Sequence, residues 1–298
     1  MSRIHDALKR AEQERAASMG TNAEPLNQPV EAQPVAMPTL QSPAAPTVMP
    51  GAQGLTYETL LARCPQKNWT PDQQTMLFFQ DDENRLGAEE FRTLRSRLYQ
   101  IREKMALKRL LVTSALPREG KSFVAANLAQ VLVRQHGRRA LVIDADLRNP
   151  GMHKHLGASQ TPGLSDYLLG ECDEVSVMQR GSMENLFFLP AGKLVSGAAE
   201  LLANGRLKLL LQRVEPLFDW IVIDGSPVIP VSDSTLVATN CDGVLMVVRS
   251  NVTPSDVAKR AREEFPDKLL LGVVLNGTPR ENMEQSKYYY GEAVSSRA

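Results

Sequence analysis

Residues 115–122 read Ala-Leu-Pro-Arg-Glu-Gly-Lys-Ser, directly after an apolar run and directly before a helical pattern. A strand–loop–helix passage of this kind offers backbone N–H groups and a helix N-terminus to phosphate oxygens. Lys121 has the reach to touch β- and γ-phosphates, and the Ser122 hydroxyl suits Mg²⁺. Ala115, Leu116, Pro117, Arg118, Glu119, Gly120, Lys121, Ser122 and the following Phe123 therefore form a candidate ATP site. Such loops usually begin with Gly, where this chain has Ala115, and a chance Gly-Lys-Ser helix start is the competing explanation.

Further candidates stand at other strand ends. Asp144 and Asp146 close the run Leu-Val-Ile-Asp-Ala-Asp-Leu-Arg over residues 141–148. Asp224 closes Ile-Val-Ile-Asp and precedes Gly225-Ser226-Pro227. Carboxylates at the C-terminal ends of buried strands point into the ligand crevice of an open α/β sheet, and oxygen ligands suit Mg²⁺. Acidic residues also end strands as turn formers, but three such ends in one chain are harder to reach by chance. Asn276 closes the last apolar run; its amide can read an adenine edge or simply form a turn before Gly277. Three of the chain's six tyrosines, Tyr288, Tyr289 and Tyr290, stand together near the end of the sequence. Buried aromatics normally stand at helix or strand spacing and three in a row do not, although an aromatic clamp or an added edge strand would account for them. Glu89, Arg92 and Arg95 recur every three residues, which places them on nearly one helix face, either as a solvated ion-paired stripe or as a contact with a second subunit.

The elements that must position these groups are legible as alternating patterns. Apolar runs at 110–114, 140–144, 186–190, 220–224, 243–249 and 270–275 predict strands. Helical patterns at about 88–104, 122–136, 198–214 and 254–265 lie between several of them. Alternation of this kind predicts an α/β fold with a mostly parallel sheet covered on both faces. Upstream, residues 1–19 read as an amphipathic helix. Residues 20–54 form a linker carrying seven of the chain's 19 prolines. Residues 55–82 read as an arm, 83–280 as the main domain and 281–298 as a polar tail with the tyrosines.

Bulk properties narrow the function class. The chain has 298 residues, 43% hydrophobic and 23% charged, with Lys+Arg and Asp+Glu equal at 34 each. That balance points away from nucleic acid as a partner. The three cysteines, Cys64, Cys172 and Cys241, are far apart and suit a reducing compartment. No apolar stretch approaches the ~20 residues of a membrane span, and the charged start lacks the apolar core of a signal peptide. A cytoplasmic protein is expected, touching a membrane only through a partner.

Taken together, these motifs resemble the bacterial tyrosine kinases of capsular and exopolysaccharide synthesis, over about residues 86–290. Residues 115–122 are similar to the family's Walker A, 142–148 to its Walker A′ and 222–224 to its Walker B, with the tyrosine tail behind them. Glu89, Arg92 and Arg95 resemble its oligomerisation motif. The resemblance implies a P-loop NTPase fold and ATP with Mg²⁺ as cofactors. Lys121, Ser122, Asp146 and Asp224 would surround phosphates and metal, and Asp144 would orient or deprotonate the incoming tyrosine. It implies a homo-oligomeric ring in which each tail enters a neighbour's site, and a transmembrane polysaccharide chain-length regulator or co-polymerase as activator. Three departures stand out: Arg118 where many relatives carry Gly, Gly225-Ser226-Pro227 in place of Thr-Pro-Pro, and a short tyrosine cluster. They keep two other functions in play, a partition-type P-loop ATPase switch and a nucleotide-dependent adaptor. Against the switch, residues 114–116 supply no additional lysine at the start of the loop.

Overall fold

The computed structural model describes residues 55–64, 66–79, 86–266 and 269–279. The expected N-terminal helix, the Pro-rich linker and the tail with Tyr288, Tyr289 and Tyr290 lie outside the described residues.

Seven strands build one sheet: β1 (Arg109–Ser114), β2 (Ala140–Asp144), β3 (Gln179–Arg180), β4 (Leu186–Leu189), β5 (Trp220–Asp224), β6 (Gly243–Arg249) and β7 (Leu270–Asn276). Their order is β3-β4-β2-β5-β1-β6-β7. All neighbours are parallel except β3, which runs antiparallel to β4. The fold is thus α/β with a mostly parallel sheet between helices. β2, β4 and β5 are buried along their whole length, as near-continuous apolar strands covered on both faces must be. In register, Asp144 on β2 stands beside Asp224 on β5, and Asp224 stands beside Val112 on β1. The strand order therefore carries two acidic strand ends to the side of the strand that feeds residues 115–122.

The described helices are α1 (Tyr57–Arg63), α2 (Ala88–Arg102), α3 (Lys121–Val133), α4 (Met152–Leu156), α5 (Leu164–Leu168), α6 (Ala198–Ala203), α7 (Arg206–Val214), α8 (Asp233–Ala238) and α9 (Ser255–Glu263). α3 is buried nearly all round, which marks it as the central helix of its layer rather than a surface one. α2 lies on it through Phe91, whose ring meets Phe123 edge-on at 5.8 Å. The Trp220 indole N–H donates to the Tyr99 hydroxyl at 3.2 Å.

Residues 55–79 pass from one face of the sheet to the other around the β3 edge. Leu60 and Cys64 are buried in one layer, and Trp69, Met76, Leu77 and Phe78 in the other. Between them Gln66 bridges to Arg180, and the Lys67 N–H donates to the Arg180 carbonyl at 2.8 Å. Two buried amides on α3 secure the second half. Asn127 Oδ1 accepts from the Leu77 N–H at 2.8 Å, and Gln130 Oε1 from the Phe78 N–H at 3.2 Å.

The pattern at 198–214 predicts one helix, but two form. Gly205 takes φ +82°, and Asn204 turns its side chain to the Arg206 N–H at 2.9 Å and to the Leu168 carbonyl at 3.2 Å. Asn-Gly is a helix stop because glycine enters the left-handed region without a Cβ clash, and here that local preference overrides the apolar periodicity.

Candidate active site

The loop between β1 and α3 is shaped by two left-handed residues, Arg118 at φ +65° and Gly120 at φ +93°. Position 118 therefore demands the backbone conformation that glycine adopts freely, and Arg118 adopts it with its side chain exposed. An arginine in place of the expected glycine therefore follows the same backbone path, at the usual cost of a left-handed non-glycine residue, about 1–2 kcal/mol. At Gly120 no side chain fits: a Cβ would lie 2.0 Å from Asn276 Nδ2. That amide donates to the Glu119 carbonyl at 2.9 Å, so Asn276 braces the loop.

α3 starts at Lys121, and Gly120 supplies no side-chain cap to it. The first N–H groups of a helix have no partner within the helix, and with the positive end of the helix dipole they suit phosphate. Ala115 is buried where β1 ends. Its carbonyl accepts from the Ile229 N–H at 3.3 Å, and the Ser114 carbonyl accepts from the Val228 N–H at 2.9 Å. Pro117 is exposed, Leu116 and Ser122 are half-buried, and Phe123 packs back on α2.

Lys121 projects into the carboxylates. Its Nζ lies 2.8 Å from Asp146 Oδ2 and 3.6 Å from Asp224 Oδ1, and it donates to Ser122 Oγ at 3.3 Å. Burial works against this ammonium, but Asp224 and Asp146 outweigh it and hold its pKa above the ordinary lysine value. Asp144 is fully buried; its two oxygens accept from the Asp146 and Met152 N–H groups, each at 3.2 Å. Burial and then repulsion from Asp224 push its pKa up to about 8, against the pull of Lys121. Asp224 is also fully buried, and neither of its oxygens has a hydrogen-bond partner. Burial raises it to about 6, with Lys121 pulling the other way.

These groups fit Mg²⁺ and nucleotide phosphate. A buried carboxylate without hydrogen bonds costs free energy unless something else compensates it, and Asp224 is compensated chiefly by the Lys121 charge. Among the described residues no three His, Cys, Asp or Glu side chains close into a metal cage. That suits Mg²⁺, which typically takes one or two carboxylates together with substrate phosphates and water.

Asp146 is oriented from three sides. Besides Lys121, its Oδ1 accepts from the Ser226 hydroxyl at 3.0 Å and the Asn149 N–H at 3.1 Å. Ser226, the second departure, thus supplies a hydroxyl to Asp146. Beside it Gly225 leaves room for its neighbours: a Cβ would stand 2.4 Å from Ser234 Oγ and 2.8 Å from Leu111 Cδ1 and force both side chains to shift. Arg148 forms a bidentate pair with Asp233, at 2.7 and 3.0 Å, tying the segment after β2 to α8. Ser234, Asp233 and the partner of Ser226 escaped the sequence reading. Such turn or helix-start residues are ordinary until the chain brings them to a partner, 80 residues away in the case of Ser226 and Asp146.

The structure therefore gathers Lys121, Ser122, Asp144, Asp146 and Asp224 at one place. Glu89, Arg92 and Arg95 sit elsewhere, on α2. Glu89 and Arg92 form an ion pair there, and Arg95 Nη1 donates to the Val131 carbonyl at 3.1 Å.

Known proteins resemble the chain in sequence and fold. An AAA domain family matches residues 119–255. Tyrosine-protein kinase YwqD of Bacillus subtilis is 33% identical over 209 residues, which cover 69% of this chain and 87% of that protein. The chain belongs to the bacterial tyrosine-protein kinases. The succinoglycan biosynthesis transport protein ExoP of Rhizobium meliloti is 35% identical over 178 residues, 57% of this chain but only 22% of ExoP. The kinase domain of the Escherichia coli tyrosine kinase ETK superposes with a TM-score of 0.64 at 28% identity, covering 72% of this chain and 84% of that domain. Among the described residues of this kinase no helix is long and apolar enough to cross a membrane.

Proposed function

We propose that this chain is an ATP-dependent protein-tyrosine autokinase that regulates polysaccharide polymerisation or export. The observation that carries the proposal is the buried set of Asp144, Asp146 and Asp224 around Lys121 at an uncapped helix start. Family membership supports the acceptor chemistry, with Tyr288, Tyr289 and Tyr290 as phosphate acceptors. In this reading the start of α3 and the loop before it bind the phosphates of ATP. Lys121 neutralises charge on the transferring group, and Ser122, Asp146 and Asp224 hold Mg²⁺. The metal, when bound, spreads the negative charge of the phosphates; most of the catalysis is positioning and charge neutralisation. Asp144 receives the proton of the tyrosine hydroxyl as that oxygen bonds to the γ-phosphorus and the bond to ADP breaks. Tyrosine has an ordinary pKa near 10, so it needs such an acceptor.

Transfer between subunits accounts for a tail that must reach a site, with α2 and its Glu89, Arg92 and Arg95 as the contact of a ring. Each phosphate adds roughly −1.5 to −2 charge to the tail, and repulsion among phosphorylated tails would loosen that ring. The activating partner would be a transmembrane polysaccharide co-polymerase, reached through residues 1–54, with the kinase itself in the cytoplasm. The deciding experiment is peptide mass spectrometry of the full chain after incubation with Mg²⁺-ATP, alone and with the partner's cytoplasmic segment. Phosphate on the 288–290 tyrosines is expected, absent in Lys121→Ala and in the triple Tyr→Phe tail variant. Steady ATP hydrolysis with unmodified tyrosines would overturn the kinase reading in favour of an ATPase switch.

A further inference from the structure

Glu119 lies inside the phosphate loop, yet its side chain is 2% exposed. Its carboxylate accepts from the Leu116 N–H at 2.6 Å and from the Arg249 N–H at 3.3 Å. It also takes the Thr253 hydroxyl. Leu116 is in the loop itself, while Arg249 ends β6 and Thr253 lies in the connection to α9. Two more bonds run between the same parts. Arg249 Nη1 donates to the Arg118 carbonyl at 3.3 Å, and Asn276, at the end of β7, donates to the Glu119 carbonyl at 2.9 Å. The ends of β6 and β7 thus grip the loop at two successive residues, the left-handed Arg118 and Glu119 itself, while the Glu119 carboxylate also ties back the loop's start at Leu116.

This grip coincides with unfavourable backbone. Glu119 is flanked by the left-handed residues Arg118 and Gly120. Left-handed positions in a loop turn successive N–H groups to one side and create an anion-binding concavity. Gly120 adopts that conformation freely; Arg118 does not. A carboxylate this close to phosphate would repel it if it faced the same side, but that of Glu119 is spent on the far wall.

We infer that Glu119 is a positioning residue: it clamps the loop to the β6–α9 connection and so holds its N–H groups in phosphate-binding shape despite the left-handed Arg118. The inference rests on the reading that this loop takes ATP. A glutamine at 119 keeps the size but turns one of two acceptor oxygens into a donor, facing N–H and O–H groups that are themselves donors. An Arg118→Gly change removes the backbone penalty the clamp works against, so the two positions are coupled.

The test is calorimetric titration of the folded full chain with Mg²⁺-ATP, with steady-state kinetics alongside. Glu119→Gln should weaken ATP binding and raise KM for ATP about tenfold, with kcat within about threefold of the original. In the Arg118→Gly background the same substitution should cost at most about threefold, and Thr253→Val should shift KM in the same direction by less. If Glu119→Gln does not fold, Thr253→Val and its Arg118→Gly combination carry the same comparison. Unchanged ATP affinity in the position-119 and position-253 variants overturns the clamp, as does an equal loss in both backgrounds. Failure of the unaltered chain to bind ATP overturns the ATP reading itself and the clamp with it.

Discussion

The two ends of the sheet use aspartate in opposite ways. At the end where the strands begin, Asp219 and Asp242 immediately precede β5 and β6, and both are saturated with donors. Asp219 takes the Arg138 guanidinium at 2.9 Å and the Arg139 N–H at 3.0 Å. Asp242 takes the Lys108 and Arg109 N–H groups at 2.9 and 2.7 Å and the Arg109 guanidinium at 2.7 Å. Burial works against both charges, but these partners outweigh it and hold both carboxyls below their ordinary range. At the end where the strands finish, Asp144 and Asp224 are buried deeper, share one lysine and are pushed the other way. The first pair stabilises the ionised, folded protein. The second pair is held at a cost that the Lys121 charge offsets only in part, as expected where function opposes stability.

The sharpest way to break the comparison is to exchange a carboxylate for an amide at each end. Asp224→Asn should lower phosphate transfer to tyrosine by about a hundredfold or more, the scale of losing a charged group from a preorganised site. Its melting temperature should change little, because the relief of burying a carboxylate without hydrogen bonds is set against the loss of its attraction to Lys121, which keeps Asp146 as a partner. A clear drop in melting temperature would show that Asp224 is a structural residue like Asp242. Asp242→Asn should do the reverse. It should lose roughly 1–2 kcal/mol of stability in urea titrations, since it gives up charged hydrogen bonds on a mostly buried group, while transfer per folded molecule stays unchanged.

The smallest effect is the dependence on pH. A carboxylate whose pKa is lowered by folding contributes stability that is fully present above its unfolded value, about 4, and is lost as pH falls through the lower folded value. The stability gap between the unaltered protein and Asp242→Asn should therefore be constant above about pH 5 and close below about pH 4. A gap that persisted into strong acid would assign the cost to packing instead of charge.

The contrast between ends also explains what could be read in advance. The strand ends announced themselves because a carboxylate closing a Val/Ile run violates the apolar pattern. Asp219 and Asp242 carry the same signal at the opposite end of a run, where no ligand is expected because ligands gather where parallel strands finish. The short helices α4, α5 and α8 had no such signature. Each is too brief to persist without its surroundings, so it exists only because the domain around it does. The clamp on Glu119 was invisible for another reason. Its partners Arg249 and Thr253 are 130 and 134 residues away, and nothing in a Gly-Lys-Ser loop says which wall its glutamate will meet.

Local order in the chain was enough to determine the chemistry on offer: a phosphate loop between strand and helix, three acidic strand ends, a parallel sheet and a cluster of tyrosines. Those are properties of spacing and of apolar periodicity, and they need no partner to be read. What the tertiary structure decided was the strand order. By setting β1 between β5 and β6, it put Asp224 beside the loop's lysine on one side and the β6–α9 connection against Glu119 on the other. It also showed that Arg118 follows a path made for glycine and that Ser226 supplies a hydroxyl to Asp146. Pairing between strands more than a hundred residues apart is chosen by packing of the whole core, and no local pattern encodes it.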